Sequence, residues 1–247
     1  MQNAALRAAG LPGWRYQLLP VPAGLFEETV RALHAAGFRG ANVTVPHKER
    51  ALALADAPTD RARAIGAANT LWFESGGEIG ADNTDAPALI EALSGVVELA
   101  GATALVLGAG GSARAAVWAL LGAGAEVAVW NRTPGRAREL CAALGGTPVT
   151  ALTPAALLIN CTSIGLDAND DPFKQLPLSA DAICAYECVV DFVYGQSKTR
   201  LAAAAAARGV PVVDGTQLLV GQGALSFERF TGLPAPRPAM RAALGGR

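Results

Sequence analysis

Ala104-Leu105-Val106-Leu107-Gly108-Ala109-Gly110-Gly111-Ser112-Ala113 is the stretch on which the reading of the fold turns. Four apolar residues run into a glycine cluster, and an Ala-rich segment continues to about Leu121 before a second apolar run, Glu126-Val127-Ala128-Val129-Trp130. Short apolar runs bounded by glycine are the pattern of strands buried on both faces, as in a parallel sheet. The stretch therefore reads as strand, turn, helix and strand, a βαβ unit. Within it, Gly108 to Ala113 matches G-x-G-x-x-A, where glycines permit the tight turn and let backbone N–H groups approach a pyrophosphate at the helix N-terminus. A glycine turn kept only for helix–strand packing is the competing reading, and the strand on each side weakens it.

An NAD site places an acid about 20 residues further on, at the end of the second strand, to accept from the ribose 2′-OH. That place here holds Asn131-Arg132-Thr133, with Arg136 one turn later. Two arginines at a helix start oppose its dipole unless an anion lies between them, so the chemistry favours a 2′-phosphate over ordinary solvated charges and points to NADP. More α/β pattern follows: a helix over Arg136–Leu144, strands at Leu157–Asn160 and Cys188–Asp191, a helix over Lys198–Arg208, and a strand at Val210–Val213. Gln217–Arg229 reads as a helix, and a short helix is expected near Met240.

Working outward, the 247 residues allow one large domain or two modest ones. The composition is 51% hydrophobic but only 6% aromatic, so small aliphatic residues do the packing and disorder is excluded. With 20 Lys and Arg against 21 Asp and Glu, the net charge of −1 supplies no field for a nucleic acid or an anionic membrane. Two histidines make a His-based metal site unexpected, and four cysteines without CxxC spacing suit reduced thiols. The N-terminus lacks a signal-peptide core and no apolar run reaches the roughly 20 residues of a span, so a soluble, cytoplasmic protein is expected.

From Met1 to about Thr84 the pattern alternates again. Trp14–Leu19 predicts a strand, Leu25–Ala36 an amphipathic helix closed by Gly37, and Gly40–Val45 a second strand. Pro46 is placed to open a helix through Ala55. Ala67–Phe73 and Glu78–Ala81 form a hairpin around Gly76-Gly77. Lys48 then falls in the first turn of a helix, where the positive dipole end works against a permanent cation, which suits a group that gives and takes a proton. A solvated lysine is the plain alternative. Asp85 stands where the first αβ region ends, available as a helix cap or as a catalytic carboxylate. Asn69-Thr70 offers an amide and a hydroxyl to a polyhydroxylated ligand, or to a turn.

In chain order, these segments resemble the shikimate dehydrogenase family from about Met1 to Gly232. The runs that carry the resemblance are N-V-T-V-P-H-K at Asn42–Lys48, G-A-A-N-T at Gly66–Thr70, N-T-D at Asn83–Asp85, and G-A-G-G-S-A-R at Gly108–Arg114. They continue with N-R-T-x-x-R at Asn131–Arg136, N-C-T-S-I-G at Asn160–Gly165, D-F-V-Y at Asp191–Tyr194, and G-Q-G-A at Gly221–Ala224. Each is modest alone, and eight in one order are specific.

The resemblance implies an α/β protein of two αβ domains: a substrate-binding domain over 1–84, completed by 216–247, and a Rossmann-like NADP-binding domain over 85–215. It implies reversible reduction of 3-dehydroshikimate to shikimate with NADPH, on the route to chorismate and the aromatic amino acids. The catalytic pair would be Lys48 and Asp85, with Asp85 also orienting the lysine, and the substrate ligands Thr44, Asn69, Tyr194 and Gln222. Cofactor contacts would fall on Gly108, Ala109, Gly110, Gly111, Ser112 and Ala113, on Asn131, Arg132, Thr133 and Arg136, on Thr162 and Ser163, and near Gly215. The expected partner is the small-molecule substrate alone, with monomer and homodimer both open. The family also begins with a strand and an S-x-S-P loop that binds the substrate carboxylate, ahead of a segment like Met1–Ala5. Since this sequence starts after that loop, the functional polypeptide is expected to begin upstream of Met1. Two rivals remain: a quinate or aminoshikimate-type dehydrogenase sharing Lys48 and Asp85, and a non-catalytic NADP-binding sensor.

Overall fold

In the computed structural model, which describes residues 1–167, 169–195 and 198–245, the apolar runs of the sequence become two separate sheets. Each sheet belongs to its own compact unit: Met1–Thr84 with Val220–Arg247, and Asp85–Leu219. Gly246 and Arg247, the end of the expected return segment, lie outside the described residues.

The first unit opens with α1 (Gln2–Ala8), α2 (Phe26–Ala35), β1 (Gly40–Asn42), α3 (Lys48–Leu54), β2 (Ala57–Pro58), α4 (Asp60–Ile65), β3 (Thr70–Phe73) and β4 (Ile79–Asp82). Its sheet runs β1-β3-β4-β2, with β2 parallel to β4 and the other pairs antiparallel. Phe26 and Val30 from α2 pack on Leu71, Phe73 and Ile79 of the central hairpin. The Thr59 hydroxyl caps α4 by accepting from Ala62 N at 3.2 Å, a contact whose loss to alanine costs about 1 kcal/mol.

The second unit contains α5 (Asp85–Leu93), β5 (Thr103–Leu107), α6 (Gly111–Gly122), β6 (Glu126–Trp130), α7 (Pro134–Leu144), β7 (Thr147–Val149), β8 (Leu157–Asn160), α8 (Pro172–Gln175), β9 (Cys188–Asp191), α9 (Arg200–Ala207) and β10 (Val212–Val213). All neighbours in its six-stranded sheet are parallel, in the order β10-β9-β8-β5-β6-β7. Numbered from β5, that is the doubly wound order, with the strand direction of travel reversing between β5 and β8. Side chains alternate along β5, so Ala104 and Val106 enter the cluster under α6 while Leu105 and Leu107 enter the opposite one. Leu107 is fully buried, and cutting it to alanine would cost roughly 2–5 kcal/mol.

Helix α10 (Gly215–Thr231) begins in the second unit and ends in the first, where it and α11 (Arg237–Ala242) pack on α1 through Ala5, Leu6, Val220, Phe227 and Met240. Among the described residues, no helix is long and apolar enough to cross a membrane.

The structure corrects two elements of the sequence reading. Trp14–Leu19 is not a strand. Its aromatic residues Trp14 and Tyr16 pack on the α1–α10–α11 cluster. The backbone of Tyr16 is satisfied by the Asn3 side chain, whose Oδ1 accepts from Tyr16 N and whose Nδ2 donates to Tyr16 O, both at 2.8 Å. An alternating pattern here reports packing on helices, with an amide standing in for a ladder partner. The other is Pro46, which sits in a turn closed by His47 N donating to Thr44 O at 2.9 Å. Helix α3 starts only at Lys48, with His47 in the cap position.

Candidate functional site

In the first unit the start of α3 is stitched to the sheet by its backbone: Ala68 N donates to Lys48 O at 2.9 Å, and Asn69 N donates to Asp82 O at 3.0 Å. Lys48, the first residue of α3, is 8% exposed, unusual burial for an ammonium side chain. His47 anchors the turn before it. Its ring stacks on Phe26 with centroids 4.5 Å apart and planes 7° from parallel. Since Val21 O can only accept, the Nε2 atom 2.9 Å away carries the hydrogen. The ring's Nδ1 is the one buried side-chain polar atom among the described residues with no partner.

Asn69 lies at the centre of a buried polar network. Its Oδ1 accepts from Thr84 N at 2.8 Å, Thr84 Oγ1 at 3.1 Å and Thr70 Oγ1 at 3.2 Å. With the oxygen so committed, the amide nitrogen donates to Gln222 Oε1 at 3.3 Å. Behind it, Ser226 accepts from Asn42 Nδ2 at 2.6 Å, lies 3.1 Å from Thr70 Oγ1, and donates to Gln222 O at 2.8 Å. Asn42 Oδ1 in turn accepts from Tyr16 Oη at 3.1 Å. Two of the expected substrate ligands, Asn69 and Gln222, are thus brought together from positions 153 residues apart. Thr44 lies exposed in the turn before His47.

The Asn83–Thr84 corner is fixed from below by Asp82. Its carboxylate accepts from Thr59 Oγ1 at 2.7 Å and from Arg61 Nη2 at 2.6 Å, and also holds Asn83 N at 2.7 Å. Asp85 follows as the first residue of α5 rather than the residue ahead of it, and is 7% exposed.

In the second unit the expected cofactor residues gather at the carboxyl ends of the strands. Gly108 N donates to Trp130 O at 2.8 Å and Cys161 N to Leu107 O at 2.9 Å, so the glycine turn is sewn between the ends of β6 and β8. Gly108 has φ +109°, and a Cβ there would lie 3.0 Å from Cys161 O. Only glycine fits both the conformation and the space. Gly110, by contrast, caps α6 with its Cβ position open, no heavy atom lying within 4 Å. A ligand can therefore reach the turn that leads into the α6 N-terminus. Asn131 Nδ2 donates to Thr133 O at 2.9 Å, shaping the turn that carries the exposed Arg132 and Arg136. Thr162 is held by Asn160, whose Oδ1 accepts from its Oγ1 at 2.7 Å, and Ser163 beside it is exposed. Tyr194 is 44% exposed on the loop after β9. Gly215 is required by packing: a Cβ would stand 2.2 Å from Val193 O and 2.9 Å from Tyr194 N, so its nearest constraint is the tyrosine loop.

Sequence reasoning passed over several of these groups. Ser226 follows Gln222 by four residues on α10, a spacing that puts both on one helix face. Asn42, Asn160 and Asp191 stood inside quoted motifs with no role given to them. Tyr16 and Asp82 carried no local signal. A cavity of about 370 Å³ in the first unit, lined by Trp14, Tyr16, Phe38, Arg39, Gly40 and Phe230, contains none of the candidate residues.

A doubly wound sheet with a glycine turn at its switch point, joined in sequence to a mixed-sheet unit bearing a buried lysine and an oriented amide pair, defines the class: an α/β protein with a Rossmann-like dinucleotide-binding unit. Comparison with known proteins gives the family. The shikimate dehydrogenase substrate binding domain matches residues 1–71, shikimate / quinate 5-dehydrogenase matches 91–163, and the shikimate 5'-dehydrogenase C-terminal domain matches 215–244. The shikimate dehydrogenase (NADP(+)) of Anaeromyxobacter dehalogenans strain 2CP-C is 44% identical over 260 residues, covering 100% of this chain and 90% of the relative. Among solved structures, shikimate 5-dehydrogenase from Thermus thermophilus in complex with NADP(H) and shikimate superposes with a TM-score of 0.85 at 39% identity, covering 98% of this chain and 91% of that one. A ligand-free 5-ketofructose reductase of Gluconobacter sp. strain CHM43 shares the fold at a TM-score of 0.79 and 30% identity, covering 99% and 91%. The chain belongs to the shikimate dehydrogenase family.

Proposed function

We propose that this chain catalyses the reversible reduction of 3-dehydroshikimate to shikimate with NADPH, on the route to chorismate. One observation carries the reading: agreement along the whole chain with relatives whose names specify that substrate and that cofactor. Most of the proposed substrate residues lie in the first unit, with Asp85 and Tyr194 in the second, and the proposed cofactor residues lie in the second.

The residues present fit NADP. The open backbone at Gly110 and the α6 N-terminus would receive the pyrophosphate, and Arg132 with Arg136 would hold the 2′-phosphate, with Asn131 and Thr133 shaping their turn. Thr162, Ser163 and the start of α10 at Gly215 complete the proposed cofactor face. When bound, the cofactor supplies the hydride. Lys48 gives a proton to the oxygen that becomes negative as the ketone is reduced, and recovers it in the reverse direction. Its burial at the start of a helix keeps that proton away from bulk water. Asp85 accepts a hydrogen bond from the adjacent substrate hydroxyl. The Nδ2 of Asn69 donates to another hydroxyl, and Gln222, Thr44 and Tyr194 hold the rest of the ring. Because Asn69 Oδ1 is already occupied by three donors, that amide presents itself to substrate as a donor only, without a reorientation cost.

Oxidation of shikimate and of quinate with NADP⁺, followed by the absorbance of the reduced cofactor and by product chromatography, tests the reading. The expected result is a kcat/KM for shikimate at least tenfold above that for quinate. Turnover of quinate alone, or of neither, overturns it.

A further inference from the structure

The D-F-V-Y and N-C-T-S-I-G runs each contain a buried polar residue that the proposed chemistry does not use: Asp191, 1% exposed, and Asn160, fully buried. They end the neighbouring parallel strands β9 and β8 and stand opposite one another in register. Asn160 Nδ2 donates to Asp191 Oδ1 at 3.0 Å, while Asn160 Oδ1 accepts from both Thr162 N, at 3.1 Å, and Thr162 Oγ1. On its other side Asp191 Oδ1 accepts from Val193 N at 3.1 Å, and Oδ2 accepts from Thr199 Oγ1 at 2.5 Å. Thr199 is also the cap of α9, accepting from Ala202 N at 3.1 Å.

The two loops touch besides. A Cβ on Gly165, three residues past Thr162, would rest on Val193 and Thr199 at 3.4–3.6 Å, and Gly215 lies against Val193 and Tyr194 as described. One carboxylate therefore holds the turn bearing Thr162 and Ser163, the loop bearing Tyr194, and the start of α9. We propose that Asp191 is a positioning residue which, through Asn160 and Val193, locks the Thr162–Ser163 turn and the Val193–Tyr194 loop into one register at the carboxyl edge of the sheet. The assignment of those loops to cofactor and substrate rests on the function proposed above, whereas the register itself does not.

The chemistry favours a carboxylate over an apolar residue here. Three donors converge on it, and a buried donor left without a partner is costly, so the loops cannot relax independently while Asp191 is present. Burial pushes Asp191 up to about 6, with its three hydrogen bonds pulling it back down and the charge of Asp214 raising it further.

Hydrogen–deuterium exchange on the ligand-free chain reads the register without any assumption about substrate. In Asp191→Ala, uptake across 160–165 and 192–195 is expected to rise together, by tenfold or more, with the strands β5 and β6 unchanged. In Asn160→Leu, which leaves the Asp191–Val193 bond, the rise is expected in 160–165 and below threefold in 192–195. On the wild-type background of NADPH-dependent reduction of 3-dehydroshikimate, Asp191→Ala should raise both the Kd for NADPH and the KM for 3-dehydroshikimate about tenfold. Asp191→Asn, which keeps an oxygen for Asn160 and Val193, should recover most of each loss. Independent responses of the two segments in Asp191→Ala overturn the proposal, as does equal uptake to wild type. If Asp191→Ala does not fold, Asn160→Leu decides, since wild-type exchange at 160–165 in that variant is equally fatal. Coupled exchange in a wild-type chain that turns over no 3-dehydroshikimate would leave the register standing and refute the functional reading instead.

Discussion

In the first unit the polar candidates are placed largely by side chains: Asn69 by Thr70, Thr84 and Gln222, and Ser226 by Asn42 and by the backbone oxygen of Gln222. In the second unit the glycine turn is placed by the backbone, while Thr162 is held by the Asn160 side chain. Gly108 is tied to Trp130 and Cys161 to Leu107 through main-chain bonds, and the open Gly110 presents peptide groups rather than a side chain. The difference matches what the proposed function asks each unit to recognise. A ring of hydroxyls demands donors and acceptors at fixed positions, which only particular side chains supply. A pyrophosphate needs a concave array of N–H groups, which any sequence with the right glycines provides.

The sharpest way to break this comparison is to remove the first-unit side chain to which the proposed function assigns the proton. Lys48→Ala should lower kcat by roughly 10²–10⁴ with a smaller change in KM, the pattern of a lost proton donor. Steady-state kinetics, with circular dichroism to confirm folding, would give the opposite pattern if Lys48 only bound substrate. On the second unit the matching change is Arg132→Ala with Arg136→Ala. Charge-assisted contacts contribute roughly 1.5–3 kcal/mol each before solvent takes its share, so a loss of about 10²-fold in NADPH affinity is expected, with NADH affinity unmoved. Equal losses for both cofactors would show that the pair does not read the 2′-phosphate.

A pH experiment tests how the second unit bears its buried carboxyl group. Because burial raises Asp191 to about 6 from an ordinary value of 3.8, the folded chain binds that proton more tightly than the unfolded chain does. Its contribution to stability is therefore present below about pH 4 and is lost as pH rises through 6, by at most about 3 kcal/mol. Urea unfolding of wild type and Asp191→Asn between pH 4 and 8 should show the two curves diverging, with the variant gaining on wild type at high pH. Parallel curves would contradict it. The smallest effect is expected at Ser226→Ala, which leaves Asn42 Nδ2 without its acceptor. The cost should be about 1–3 kcal/mol, read as a melting temperature lower by several degrees, with turnover reduced only through KM.

The same contrast explains what the sequence disclosed. The second unit was legible almost strand by strand: Glu126–Trp130, Leu157–Asn160 and Cys188–Asp191 run as read. Strands buried on both faces are continuous apolar runs, and glycine turns are conspicuous. The first unit was legible in helix α2, in its hairpin, at the start of β1 and in the closing helices α10 and α11, and less so elsewhere. Its strand β1 is three residues long, and Trp14–Leu19 carries a strand-like alternation imposed by packing on helices. Helices α1 and α4 and strand β7 went unread because short polar or Pro-containing segments leave little periodic signal. Long-range partners such as Asn69 with Gln222, or Asn42 with Ser226, have no local signature at all. They follow from the path of α10 back onto the first unit.

A division of labour, in which the second unit chooses the cofactor and the first unit the ketone, underlies the proposed function. Measuring kcat/KM for 3-dehydroshikimate with NADPH and with NADH, on the same preparation, tests both halves at once. Rapid NADPH oxidation with shikimate as the product is expected, with a rate lower by about 10² when NADH replaces it. Equal rates with the two cofactors, or no reduction of 3-dehydroshikimate with either, would contradict that division.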